Sequence, residues 1–202
     1  FEKVIYLDCD IIVLDSLQDI FEIDAPIAAT GRYRPIAKEF CEPQALKEGE
    51  ELDNIIWTFN TGFLGLDVKY WQSVDILGRV AELTGKYGWR TFKNPVNGLF
   101  YLLSRDHGGF TNITDHYNFL IKRKCDGIIE NSLGFRAPLV KGKPVKVLHW
   151  NGPVKYWNLP KDAKSLAGLR AKYPEFDYNY IRDKYYPCIS PFIKDVERCP
   201  AT

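Results

Sequence analysis

Two aspartates stand in the middle of an apolar stretch, VIYLDCDIIVL, running from Val4 to Leu14. A carboxylate carried into an apolar interior is disfavoured unless it takes up a proton, finds a partner or binds a metal. Asp8 and Asp10 are two residues apart. In an extended strand they would project to one side together, while Cys9 would project to the other, into packing. Two oxygen donors on one face suit a hard divalent ion such as magnesium or manganese. The competing reading is that both aspartates cap loops or form salt bridges, and a D-x-D pair alone does not choose between them.

A second stretch, VLHWNGPVKYWN from Val147 to Asn158, supplies different chemistry. His149 follows a short apolar run, Gly152 lets backbone approach a ligand closely, and Lys155 offers a compact positive charge. Together they could contact a metal and the diphosphate it holds. Taken alone, His149 reads as a core histidine with a satisfied ring. The joint spacing H-x-x-G-x-x-K-x-W is much rarer by composition than any of its parts. Elsewhere, IKRK (Ile121 to Lys124) reads as a solvated turn, with a contact to an acidic glycan as the alternative. Trp57, Trp89 and the tyrosines near the C-terminus could stack on sugar rings or simply pack. His107 and His116 sit in polar sequence with no evident partner.

The elements that would hold these residues follow from periodicity. Val4–Leu7 suits a central strand, and Ile11–Leu14 continues extended after the acidic pair. Asp15-Ser16 resembles a helix cap ahead of Leu17, Ile20 and Phe21. Pro26–Thr30 reads as a strand ended by Gly31. Residues 32 to 54, with Pro35, Pro43 and Gly49, read as a long polar excursion of the kind that often carries function. Thr58–Leu66 returns to strand character. Val68–Thr84 reads as one helix with Trp71, Val74, Leu77, Val80 and Ala81 as its apolar stripe. Another helix is expected after Pro95, using Leu99, Tyr101, Leu102 and Leu103. Lys146–Trp150 reads as a short strand leading into a Gly-Pro loop, and the chain beyond about Lys161 as a docked helical tail. Strands interleaved with helices predict an α/β layer fold.

Composition narrows the function classes. The 202 residues suffice for a sizeable core and point to one domain with at most an appendage. A net charge of +1 calls for neither nucleic acid nor an anionic membrane as partner. No apolar run approaches the roughly 20 residues of a membrane-spanning helix, and no signal peptide is evident. The chain opens on Phe1, almost inside a strand, and contains no methionine, so it is expected to be a segment of a longer protein. Five cysteines without C-x-x-C spacing argue against a zinc knuckle or a full disulfide framework. A Cys188–Cys199 pair would require an oxidising compartment. The sequon Asn112-Ile113-Thr114 decides nothing, and the compartment stays open between cytoplasm and Golgi lumen.

YLDCD, FNTGFLGLD and LHWNGPVKYWN, in that order, resemble glycosyltransferase family 8, the retaining GT-A group that includes glycogenin and bacterial lipooligosaccharide galactosyltransferases. The resemblance covers Val4 to Asn158. It implies a GT-A-like, Rossmann-related mixed sheet flanked by helices over residues 1–160, ahead of the tyrosine-rich helical tail that composition predicts over 161–202. It also implies that the first nucleotide-binding βαβ portion precedes Phe1. It implies manganese (or magnesium) held by Asp8, Asp10 and His149, with Gly152 and Lys155 on the diphosphate. Asn60, Thr61 and Gly62 then contact the donor sugar. The implied activity is transfer of a hexose from a UDP-sugar to a hydroxyl of a glycan, lipid-linked or protein acceptor, with retention of configuration.

Two departures from the family pattern stand out. Tyr156 occupies a position that is usually proline. Where the family carries an Asp-Gln pair beside the sugar, the sequence reads FKNPVNGL, leaving Asn94 or Asn97 as the polar contact in the catalytic position. Two other functions are therefore weighed. A haloacid-dehalogenase-type phosphatase would use the first aspartate as nucleophile and the second as acid/base. It wants Thr or Val where Ile12 stands and leaves HWNGPVKYW unexplained. A transferase-like module retained only for binding is the other.

Overall fold

The computed structural model describes residues 1–32, 58–88, 94–153, 155–158, 163–174 and 176–196. The expected excursion with Pro35, Pro43 and Gly49 lies outside the described residues, as do Trp57, Trp89, Cys41 and Cys199. In chain order the strands are β1 (Lys3–Leu7), β2 (Ile11–Val13), β3 (Ile27–Arg32), β4 (Thr58–Asp67), β5 (Thr111–Ile113), β6 (Phe119–Leu120), β7 (Gly127–Glu130), β8 (Arg136–Val140), β9 (Lys143–Pro144) and β10 (Val147–His149). The main helices are α1 (Val68–Ser73), α2 (Ile76–Tyr87), α3 (Pro95–Asp106), α4 (Ala163–Lys172), the single turn α5 (Tyr178–Tyr180) and α6 (Tyr186–Val196). The chain divides into two compact units, one formed by Phe1–Asp8 and Leu17–Thr114, the other by Cys9–Ser16 and Asp115–Thr202.

The first unit is built on a sheet of order β1-β4-β3-β5. β4 runs antiparallel to both β1 and β3, and β5 joins β3 in parallel. The sequence TFNTGFLGLD is buried over nearly its whole length, as a central strand covered on both faces requires. Gly65 belongs there because a β-carbon would meet Ile20 Cγ2 at 2.8 Å and Ala28 Cβ at 3.2 Å. Ile27, Ala29, Phe59 and Leu64 pack with Trp71, Phe100 and Phe110, and Leu83, Leu99 and Leu102 form the neighbouring cluster. Leu99, Tyr101, Leu102 and Leu103 of α3 are all buried, as their spacing predicts.

The helix expected over Val68–Thr84 is two helices. Val74 is extended (φ −115°, ψ 150°), and the Asp75 carboxylate accepts a hydrogen bond from the Gly78 amide to start α2 afresh. An aspartate favours exactly this local side chain–backbone bond over an interior helical position. The break resets the phase of the apolar stripe. Ile76, Val80 and Leu83 face the core, whereas Leu77 is 79% exposed. Asp15-Ser16 likewise starts no full helix: only the 3₁₀ turn Gln18–Ile20 follows, and Asp15 Oδ1 accepts from the Ser16 amide instead.

The second unit contains a sheet of order β2-β10-β6 and a second of order β7-β8-β9. β2 is antiparallel to β10, and β6 is parallel to it. Its core joins Ile12, Leu14, Phe119, Leu148 and Trp150 to Tyr178, Tyr185, Cys188 and Ile189 from the C-terminal helices. Tyr178 and Tyr185 are therefore core residues, and Cys188 is a buried thiol. The stretch Ile121–Lys124 is a turn with Lys122 and Lys124 exposed, as expected. His107 and His116 have partners: His107 Nδ1 lies 2.9 Å from the Tyr70 hydroxyl, and His116 Nε2 lies 2.8 Å from the Val140 carbonyl.

Candidate functional site

β1 ends at Leu7, and the segment Asp8–Asp10 is not strand. The Asp8 amide donates to the Gly62 carbonyl at 2.8 Å, continuing the line of the β1–β4 ladder by one bond. Cys9 and Asp10 then form a turn before β2. Strand alternation is therefore not what arranges the acidic pair, and Cys9 is exposed to solvent instead of turned into packing. The position of Asp10 is set by pairing instead. His149 stands opposite Ile11 in the β2–β10 register, and the Trp150 amide donates to the Asp10 carbonyl at 2.8 Å. A short antiparallel ladder thus brings residue 10 beside residue 149.

The side chains meet accordingly. Asp10 Oδ1 lies 3.2 Å from His149 Nε2, and Asp10 Oδ2 accepts from Lys155 Nζ at 2.5 Å. Lys155 also reaches the Trp150 carbonyl at 3.4 Å. Asp10 and His149 are only 6% and 2% exposed. Burial pushes the Asp10 carboxyl up, but hydrogen bonds and charge from His149 and Lys155 outweigh it, and the group is held down to about 2. The Tyr156 phenol is shifted upward by burial and by the nearby Asp10 carboxylate. His149 Nδ1 lies 2.8 Å from Asn118 Oδ1, and Asn118 is 1% exposed.

Asp8 accepts a 2.8 Å hydrogen bond from the Tyr6 hydroxyl. One ligand atom each from Asp8, Asp10 and His149 lies within 4.8 Å of the others. Two carboxylates and an imidazole are a mixed hard and borderline donor set, and buried Asp10 is already ionised. The residues fit a divalent cation. Gly152 is packed against Phe176, whose Cε1 would lie 3.0 Å from an added β-carbon.

The remaining expected residues lie in the first unit. Thr61 Oγ1 donates to Asn97 Oδ1 at 2.5 Å, and the Gly62 amide donates to Asn60 Oδ1 at 3.1 Å. Asn94 is the N-cap of α3, accepting from the Asn97 amide at 3.2 Å, with Pro95 as the first helical residue. Asn60–Thr61–Gly62 on β4 and Asn94–Asn97 on α3 are thus joined through the Thr61–Asn97 bond. Sequence reasoning missed Asn118, Tyr6 and Asn151, whose side-chain oxygen is buried with no hydrogen-bond partner among the described residues. The available signal for Asn118 was a lone amide directly before the apolar run FLI.

The chain matches the sequence pattern of glycosyl transferase family 8 over residues 1–159. It belongs to that family. Among curated relatives, a probable glycosyl transferase Gly of Streptococcus gordonii is 34% identical over 83 residues, 41% of this chain and 10% of the relative. Glycosyltransferase GlyE of Streptococcus pneumoniae serotype 4 is 25% identical over 192 residues, 92% of this chain and 40% of the relative. The crystal structure of galactosyltransferase LgtC in complex with donor and acceptor sugar analogs superposes with a TM-score of 0.53 at 23% identity, covering 87% of this chain and 61% of LgtC. The family 8 chain described here therefore shares the mixed α/β fold of LgtC. It spans less than two thirds of each of these proteins.

Proposed function

We propose that this family 8 chain contributes the metal and diphosphate site of a retaining glycosyltransferase that moves a hexose from a UDP-sugar to an acceptor hydroxyl. One observation carries the reading. Asp10 is buried, yet it is kept ionised between an imidazole and an ammonium that come from a sequence motif far along the chain. Asp8, Asp10 and His149 would hold manganese or magnesium, and Lys155 with the Gly152 backbone would face the diphosphate. When bound, the cation supplies positive charge against the leaving nucleoside diphosphate.

The chain's own residues do the rest. Lys155 places a second positive charge where negative charge develops on departure, which favours the transition state over the intact donor. Gly152 makes room for the Phe176 ring, whose Cε1 would lie 3.0 Å from an added β-carbon, while its backbone would face the diphosphate. Asn60, Thr61 and Gly62 line the donor sugar, oriented by Asn97, while Asn94 fixes the start of the helix that carries Asn97. Amide groups orient hydroxyls but are poor bases. In this reading the acceptor oxygen bonds the anomeric carbon on the face from which the phosphate oxygen departs, its proton passes to that phosphate, and configuration is retained. The acceptor is a glycan, lipid-linked or protein hydroxyl.

Calorimetry of UDP with and without manganese tests the reading. The expected result is UDP binding that requires the metal, and loss of manganese affinity by more than about 100-fold in Asp10→Asn. Magnesium preference with phosphorylation of Asp8 would instead indicate a phosphatase. Failure to bind either metal or UDP would indicate a transferase-like module without catalysis.

A further inference from the structure

We propose that Asn118 is a positioning residue that fixes the tautomer and ring orientation of His149, so that Nε2 presents its lone pair to a cation. The inference rests on the reading of His149 as a metal ligand given above. A neutral imidazole carries one N–H, and the nitrogen without it is the one that can ligate. Asn118 Oδ1 lies 2.8 Å from His149 Nδ1 and can only accept there. The proton is thereby assigned to Nδ1. Nε2, on the opposite edge of the ring, lies 3.2 Å from Asp10 Oδ1, on the side where the carboxylates gather. The other tautomer would aim an N–H at the cation and leave the Asn118 oxygen facing a lone pair.

The backbone around Asn118 explains why it can impose this. The Asn118 amide donates to the Asp115 carbonyl at 3.2 Å, and Asp115 is paired with Arg123 at 2.7 Å. Immediately after it, β6 pairs in parallel with β10, Phe119 against Leu148 and Leu120 against His149. The Ile121 amide closes the ladder on the His149 carbonyl at 3.1 Å. Asn118, directly ahead of β6, and His149, on β10, are therefore held side by side, both almost fully buried. A neutral acceptor also differs from a carboxylate in leaving the site's negative charge to Asp8 and Asp10. Partners of this kind orient metal-bound histidines generally, and their loss typically weakens metal binding about 10- to 100-fold.

The test combines metal affinity with a metal-free readout. Manganese alone is titrated into wild type, Asn118→Leu and Asn118→Asp, with unbound manganese followed by electron paramagnetic resonance. The ¹⁵N resonances of the three histidines report, in metal-free protein, whether Nδ1 of His149 carries a proton. Asn118→Leu is expected to weaken manganese binding about 10- to 100-fold and to take the proton off His149 Nδ1. Asn118→Asp, which keeps an acceptor in place, is expected to restore both. If the leucine variant does not fold, Asn118→Ser, which draws the acceptor back from the ring, is read in the same way. Wild-type tautomer and affinity in the Leu or Ser variant would overturn the inference. If wild type takes up no manganese, the metal-site reading fails, and the tautomer comparison still decides the role of Asn118.

Discussion

Burial opposes ionisation of Asp10, yet His149 and Lys155 hold its carboxyl at about 2, below the 3.8 of an unperturbed group. This has a consequence for acid stability. The folded carboxyl binds its proton less readily than the unfolded one, so the stabilisation is complete above about pH 4 and is lost as pH falls through 2. Over that window wild type in metal-free buffer should lose about 2 kcal/mol from this group. Asp10→Asn should start lower in stability and show a shallower acid slope, measured by urea denaturation at a series of pH values. The two ends of this cluster were legible in sequence, because D-x-D and H-x-x-G-x-x-K are compact motifs. What lies between them was not. Asn118 and Tyr6 enter through strand pairings and a local turn whose register no spacing in the sequence specifies.

At the scale of elements, periodicity was informative where a segment was long and weak where it was short. β4 and α3 followed directly from their apolar patterns, because ten and twelve residues carry several turns or alternations each. The break between α1 and α2 escaped because apolar spacing runs across it, while the local bond from the Gly78 amide to Asp75 decides it. Strands β6 and β9 have two residues apiece, too few for any period to register. Gly65 shows how tightly the long strand is specified. Gly65→Ala would force its methyl to 2.8 Å from Ile20 Cγ2, and such overpacking costs about 1–3 kcal/mol. Ile20→Ala removes that atom, so the double variant should be less destabilised than the sum of the singles, a coupling readable by a double-mutant cycle in urea.

Over the whole molecule, the division into two units means that each core must hold its own buried groups. In the second unit, the C-terminal helices supply a thiol and phenols to the same core as Trp150 and Phe119, the core against which β2 and β10 lie. Burial pushes the Cys188 thiol up to about 11, from 9.0 when unperturbed, and pushes the Tyr185 phenol higher still. Below about pH 9 both states keep the thiol proton and stability is flat with respect to this group. Between 9 and 11 the unfolded chain releases a proton that the folded one retains, so stability falls as pH rises, by up to about 1.4 kcal/mol per pH unit. Tyr185 adds the same effect from about pH 10 upward. Thermal unfolding between pH 8 and 10.5 should show Tm declining for wild type above 9. Cys188→Ala should begin lower, for the lost packing of a fully buried side chain, and decline less steeply between 9 and 10. An equal slope in the two proteins would place the thiol outside the cooperative core, and the helices that carry it would then not be part of what holds β2 and β10 together.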